Sequence, residues 1–412
     1  MVLDWFLNYG GVIAFYVFIV ILVYINRKKF EFEGKIIALY KTSLGIKYMK
    51  IFANKYPRTL MFLGTFGIYV GFLGMFLMLG MIGFGIYQLI SMPDMPPLFQ
   101  PVLPGFELPG GLKIPLLQGL LALFVVVVVH EFAHGVISKL YSIRIKSSGF
   151  AMIGPIPAAF VEPDEKKLDK APYKHQMSMF AAGPFSNVLL AIFITFLVIL
   201  AGFGSNALFE PSGVELLEFN ESDARFENVE EGMVIKSVEG QTIKTPIDLT
   251  NSLDSYSPGD NVLVEFNGLN KSIELLSHPQ DENWAYLGVV VDPVVSAKNP
   301  ALDFLRPVYF WLFGNIHSAA DVPVLTLIMF KLFGGFGFAS FGLLDWIFHL
   351  SIGIGLVNLL PIGPVDGGRM FLLTLQRYFK DATAKKIWGG VSYVLLVLVI
   401  ILIFFPLLRG FF

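Results

Sequence analysis

The chain has 412 residues, 55% of them hydrophobic and only 15% charged, with a mean hydropathy of +0.67 and a formal charge of −2. This composition excludes an ordinary soluble enzyme in favour of a polytopic membrane protein, and the near-neutral charge gives no basis for nucleic-acid binding. There is no cysteine, so disulfides and thiolate ligands are excluded and any metal must be held by histidine and carboxylate.

Residues 1–9 lack the basic region and small-residue cleavage site of a signal peptide, so the apolar run 11–25 is expected to remain as an anchor. It ends at Asn26-Arg27-Lys28-Lys29, a basic stop of the cytoplasmic kind, which puts the N-terminus outside. Residues 27–58 hold nine Lys or Arg and read as cytoplasmic; within them, 36–52 reads as an amphipathic interfacial helix or as a merely solvated helical face. The run 60–90 is too short for two crossings and is expected to form one tilted, glycine-rich span leading outward. After a proline-rich loop, residues 116–140 form a span that runs back inward.

That span carries His130-Glu131-Phe132-Ala133-His134, the HExxH pattern. On a helix, positions i and i+4 point to nearly the same side, so both imidazoles can reach one Zn²⁺ ion while Glu131 leans toward the open coordination position. Neutral imidazoles leave the metal's charge intact, and a carboxylate beside it can take a proton from the attacking water. The setting strengthens the reading, because ionisable groups inside a span are costly and by default functional.

Residues 142–174 alternate short apolar pieces with Gly and Pro, which suits a β-hairpin or re-entrant loop at the membrane edge, or an ordinary cytoplasmic loop. In the first two cases a free strand edge could pair with an extended substrate. The next span, 177–202, opens with Ala182-Gly183-Pro184-Phe185-Ser186-Asn187. Helix packing accounts for Gly183 and Pro184, whereas Asn187 is an amide that needs a partner in lipid.

From 205 to 293 the composition turns polar, with strand-like runs at 232–238, 261–266 and 286–291, a short helical stretch at 246–253, and a turn at Ser257-Pro258-Gly259-Asp260. The order of these elements resembles a PDZ domain of the bacterial, permuted type. In that resemblance Tyr286-Leu287-Gly288-Val289 matches the carboxylate-binding loop, and extended peptides add as a strand. The alternative is an inserted sandwich that only covers the membrane site.

Beyond Pro300, segments 304–313 and 322–333 are too short to span and read as interfacial or re-entrant, followed by a span at 341–360. It runs into Asn358-Leu359-Leu360-Pro361-Ile362-Gly363-Pro364-Val365-Asp366-Gly367-Gly368-Arg369, where Pro and Gly break the helix as a carboxylate appears. A last span, 391–408, leads outside. The three segments inferred to be cytoplasmic, 27–58, 139–174 and 369–386, hold 21 of the 30 Lys and Arg, which supports this topology. His175, His278, His317 and His349 lack a second ligand at helical spacing and read as structural.

The pair His130-Glu131-x-x-His134 and Asn358-x-x-Pro361-x-x-x-x-Asp366-Gly367, each on its own membrane segment, resembles the site-2 protease family of intramembrane zinc metalloproteases over residues 115–409. The resemblance implies His130, His134 and Asp366 as ligands to one Zn²⁺ and Glu131 as general base. It implies Asn358 as holding the substrate backbone or oxyanion, and Asn187 as a supporting polar residue on the substrate or oxyanion side. Val365 stands where the family usually has Leu, and the first two spans lie outside the shared core.

The expected fold is therefore a polytopic α-helical membrane protein with an inserted small β-rich, PDZ-like soluble domain. It divides into N-terminal spans and a cytoplasmic segment (1–114), a first catalytic part (115–204), the PDZ-like domain (205–293) and a second catalytic part (294–412). The expected activity is hydrolysis of peptide bonds in or near the transmembrane segments of membrane-protein substrates that have already been cut on the outer side. The PDZ-like domain is expected outside and the zinc toward the cytoplasm. A membrane metal-binding or transport protein, or an inactive scaffold that binds peptides, are the alternatives; the absence of an internal repeat counts against transport.

Overall fold

The computed structural model describes residues 2–34, 37–92, 97–107, 114–219, 223–278, 281–305 and 342–409. Four of the described helices are long and apolar enough to cross a membrane, over Pro57–Ser91, Leu116–Leu140, Tyr173–Ala201 and Asp381–Pro406, and Tyr9–Ile25 and Leu343–Val357 are shorter apolar helices. The protein is a multi-pass helical membrane protein with an inserted β-rich domain. The chain divides into two compact units, residues 1–195 with 343–412 and residues 196–342.

In the first unit, α1 (Val2–Ile25) is followed by β1 (Glu31–Glu33), β2 (Ile37–Thr42), α2 (Ile46–Lys55) and α3 (Pro57–Ser91). The long run expected at 60–90 is thus one continuous helix, whose buried face carries Gly64, Gly67, Gly71 and Gly74. A methyl at 67 would press on Phe185 at 3.1 Å, and one at 71 on Met370 at 2.9 Å, so the bare backbone is what lets neighbouring segments close on α3. The HExxH helix is α4 (Leu116–Leu140).

After α4, β3 (Ile145–Ile153) and β4 (Ile156–Pro163) form an antiparallel hairpin, with Gly154 at positive φ in its turn. Residues 36–52 do not form the single amphipathic helix expected. Ile37–Thr42 is strand β2, paired antiparallel with β3 from Ile37↔Ile153 to Thr42↔Ser148, and the helix begins only after Gly45, at φ 81°. The hairpin offers a free ladder of backbone groups at the β3 edge, and residues 37–42 take it up as a strand, a partner that local periodicity does not reveal. The result is a four-stranded sheet in the order β1-β2-β3-β4, with β4 at one edge.

A short helix, α5 (Glu165–Leu168), leads to α6 (Tyr173–Leu208), which carries Pro184 in its interior. After the inserted unit in sequence come α8 (Leu343–Val357), α9 (Asp366–Tyr378) and α10 (Asp381–Arg409). The described part of α8 has 15 residues, about 22 Å of helix, which is shorter than the span expected at 341–360 and short of a full hydrocarbon core. The segments 306–341, including most of the expected interfacial pieces, lie outside the described residues.

In the second unit, α6 runs directly into β5 (Phe209–Glu218). Then come β6 (Val234–Val238), β7 (Gln241–Thr242), α7 (Pro246–Leu253), β8 (Asn261–Phe266), β9 (Leu269–Glu274), β10 (Leu276–His278), β11 (Asp281–Tyr286) and β12 (Val290–Ala297). The main sheet has the order β12-β5-β6-β8-β9, with β7 paired to β6, and β10 and β11 make a separate hairpin. β8 alternates exposed and buried residues along its length, and its inward Val262, Val264 and Phe266 join Val214, Leu216, Ile235 and Ile273 in one core. Helix α7 starts on a Thr245–Asp248 capping box with Pro246 in its first turn, as the stretch 246–253 suggested. It packs on β11 and β12.

Candidate metal centre

His130 and His134 lie one turn apart on α4, both buried. The third group arrives from 236 residues away. Between α8 and α9 the chain turns back sharply, and the carbonyl of Asn358 accepts from the N–H of Gly367 at 2.7 Å. A side chain at Gly367 would overlap the Leu359 carbonyl, and one at Gly368 the Ile362 carbonyl, so the Asp-Gly-Gly sequence is what allows α9 to begin folded against this loop. Trp388 Nε1 of α10 donates to the Gly368 carbonyl at 2.9 Å and holds the same turn from behind. Asp366, the first residue of α9, is thereby set against the α4 histidines.

Nε2 of His130 lies 3.2 Å from Nε2 of His134 and 3.2 Å from Oδ2 of Asp366, and His134 Nε2 to Asp366 Oδ2 closes the triangle at 3.3 Å. A tetrahedron with edges of that length has its centre about 2.0 Å from each corner, which is the zinc–imidazole and zinc–carboxylate distance. With both imidazoles neutral and their Nε2 lone pairs turned inward, three donors this close need a cation between them, so the donor set fits a divalent metal and leaves a fourth position open. Among the described residues this is the one cluster of three such groups, and Asp345 on α8 and Glu162 on β4 are not part of it; Asp321 lies outside the described residues.

The surroundings shape the same point. Nδ1 of His134 sits 2.7 Å from the Met179 carbonyl of α6, which fixes its proton there and leaves Nε2 free. Nδ1 of His130 meets the side-chain amide of Asn187 at 3.3 Å. Gly183 of α6 faces both rings: a methyl there would come within 2.5 Å of His130 Nε2 and closer still to His134 Nε2. Helix packing is therefore not the whole reason for that glycine: it keeps clear the space a metal would fill. The signal was a Gly-Pro pair inside a long apolar helix.

Oε2 of Glu131 accepts from the N–H of Val161 on β4 at 2.9 Å. That N–H points away from β3. Ala159 shares its side of the strand by alternation, as do Pro157 and Pro163, which carry no N–H and suit an edge. Sequence reasoning missed this link, since nothing in 142–174 announces which backbone group will meet Glu131. The side chain of Asn358 is partly buried and has no hydrogen-bond partner among the described residues. In the second unit, Tyr286 ends β11, and Leu287, Gly288 (φ 80°) and Val289 form the link into β12. Arg225 lies beneath that link, donating to the Leu287 carbonyl at 3.3 Å and the Glu274 carbonyl at 2.7 Å while pairing with Asp223 at 2.6 Å.

A helix-borne His pair joined by a distant carboxylate inside a multi-pass helical protein defines a membrane-embedded metallopeptidase type of site. The chain belongs to peptidase family M50, whose sequence profile, described as "Peptidase family M50", matches residues 118–402. An uncharacterized protein of Methanocaldococcus jannaschii is 29% identical over 231 residues, covering 55% of this chain and 59% of that protein. The zinc metalloprotease RasP of Geobacillus kaustophilus is 24% identical over 263 residues, 58% of this chain and 61% of that one. The regulator of sigma-W protease RasP of Bacillus subtilis is 22% identical over 271 residues, again 58% and 61%. The matches span about three fifths of the length of these relatives.

Proposed function

We propose that this protein is an intramembrane zinc endopeptidase that cuts peptide bonds in or near the transmembrane segments of membrane proteins. The observation that carries the reading is the near-equilateral triangle of His130, His134 and Asp366, with sides of 3.2, 3.2 and 3.3 Å, beside a glutamate one residue along the same helix. Membership of M50 and the likeness to two RasP proteases, one of them named a zinc metalloprotease, support it.

His130, His134 and Asp366 would hold the metal, which when bound supplies Lewis acidity and lowers the pKa of water at the site. Glu131 then acts as general base, taking the proton of the attacking water and passing it to the leaving amine. The Val161 N–H holds that carboxylate in one orientation. Asn358, on the turn before Asp366, donates in this reading to the developing oxyanion or to the substrate backbone; its partly buried amide supports that role. A helical substrate hides its carbonyls, so the scissile segment must be extended, and the outward edge of β4 at Ala159, next to the Val161 N–H that Glu131 takes, can hold it by strand addition.

The basic-residue bias supports an orientation with residues 27–58, 139–174 and 369–386 in the cytoplasm and the β-rich domain outside. For that domain, packing of α7 on β12 beside the Leu287–Val289 link supports a PDZ-like reading. Arg225 is already engaged by Asp223 and two carbonyls, which favours exclusion of bulky ectodomains over capture of a C-terminal carboxylate.

The test is the Glu131→Gln variant, purified and assayed on a membrane-protein substrate already shortened on its outer side. It should keep zinc and lose cleavage. A variant that still cleaves, or a native protein that binds no zinc, overturns the assignment. Deleting residues 205–293 behind a flexible linker should leave the shortened substrate cut and let unshortened substrates be cut as well; slower cleavage of the shortened substrate would favour capture, and an unchanged preference would leave the domain a structural role.

A further inference from the structure

The two metal-facing histidines are oriented by different kinds of group. His134 presents Nδ1 to a backbone carbonyl, Met179 O at 2.7 Å, which can only accept, so its proton is fixed on Nδ1 and its Nε2 lone pair faces the centre. His130 has no carbonyl in that place. Its Nδ1 meets the side-chain amide of Asn187 at 3.3 Å, and an amide can present either a donor or an acceptor.

As placed, the amide nitrogen faces the ring. A nitrogen that donates to Nδ1 forces the ring proton onto Nε2, where it would point at Asp366 and His134 and block ligation. The oxygen of the same amide, Oδ1, is buried with no hydrogen-bond partner among the described residues, so no donor elsewhere holds the amide in this sense. Oxygen and nitrogen exchange places by a half-turn that changes no volume. Asn187 itself is fully buried, and Gly355 of α8 packs so closely that a methyl there would touch its Cβ at 3.2 Å, which keeps the side chain aimed at His130.

Resting on the zinc-site reading above, we propose that Asn187 is a positioning residue whose Oδ1 accepts from Nδ1–H of His130 in the zinc-loaded protein, fixing the tautomer that points the Nε2 lone pair at the metal. It lies across the ring from the metal position and has no solvent-exposed surface, so it acts through His130 and not on substrate or oxyanion. An acceptor in this place also raises the basicity of the ligating nitrogen.

Zinc affinity, read by competition with a chromogenic chelator on the full-length protein in detergent, tests this without reference to activity. Asn187→Leu fills the same space with neither donor nor acceptor and should weaken zinc binding about 10- to 100-fold. Asn187→Asp can only accept, so it should bind zinc at least as tightly as the native chain. If the amide instead serves as a donor, Asp would oppose the Nδ1 lone pair and fail as badly as Leu. Should the Leu variant not fold, the Asp variant decides alone: a tenfold or greater loss overturns the proposal, as does native affinity in a folded Leu variant. Absence of zinc from the native protein would instead strike at the site reading itself.

Discussion

Gly183→Ala should abolish the metal site while adding a single carbon atom. The new methyl would come within 2.5 Å of His130 Nε2 and nearer to His134 Nε2, whereas ordinary contact needs about 1 Å more. Neither ring can swing aside freely, because His134 is tied to Met179 O and His130 to Asn187. Metal sites tolerate displacements of about 0.2 Å, so a shift of this size removes the geometry. If α6 moved instead, ordinary overpacking would cost about 1–3 kcal/mol of stability. The two outcomes separate in a thermal unfolding series with and without zinc. At free zinc a thousandfold above the native dissociation constant, binding stabilises by about 4.1 kcal/mol, and a hundredfold weaker site leaves about 1.4 kcal/mol. The zinc-dependent increment should therefore shrink to a third or vanish, while the zinc-free protein changes little. Gly83→Ala on α3, where a methyl meets nothing within 4 Å, is the matched control. An undiminished zinc increment in Gly183→Ala, with the zinc-free protein as stable as the native chain, would refute the placement of the metal among these residues.

Asp366→Ala should lose zinc outright, measured by metal content after dialysis, since a three-ligand site keeps little affinity with one ligand gone; retained zinc would remove Asp366 from the ligand set. Val161→Pro deletes the N–H that Glu131 accepts at an edge position of the kind already occupied by Pro157 and Pro163, so zinc should be kept and kcat should fall about 10- to 100-fold, in line with one charge-assisted hydrogen bond. An unchanged kcat would mean that the bond does not orient the base. Single cysteines at the exposed Thr250 and Thr383 in this thiol-free chain should label from opposite sides of the membrane, and labelling from one side would sink the proposed orientation. Arg225 holds the Asp223 carboxyl below the usual range, and Asp223→Asn frees the guanidinium beside Gly288. If the link into β12 can receive a peptide carboxylate at all, affinity for a C-terminal peptide should rise, as read by fluorescence anisotropy; no rise would argue against capture.

Local rules made much of this protein legible in its sequence. The i, i+4 spacing put His130 and His134 on one side of a helix, hydropathy marked the long spans, and the loss of apolar content after residue 205 with period-2 alternation in 261–266 announced a β-rich insertion. The Pro-Gly break before Asp366 likewise read correctly as irregular backbone, although the helix that begins at Asp366 did not show in the pattern. Each of these signals lies within a window of a dozen residues or so, where side-chain periodicity and backbone sterics act directly. The remainder depended on partners far along the chain. Residues 37–42 are a strand because β3 offers them an edge, although 36–52 alone has the pattern of an amphipathic helix. Glu131 is held by Val161, 30 residues on, and His130 by Asn187, 57 residues on. Gly183 matters because α6 crosses the metal position at the one point where a methyl would fill it. Asp366 reaches His130 across 236 residues only because Gly367 and Gly368 let the turn after α8 close on itself, a contact between backbones that no hydropathy pattern records.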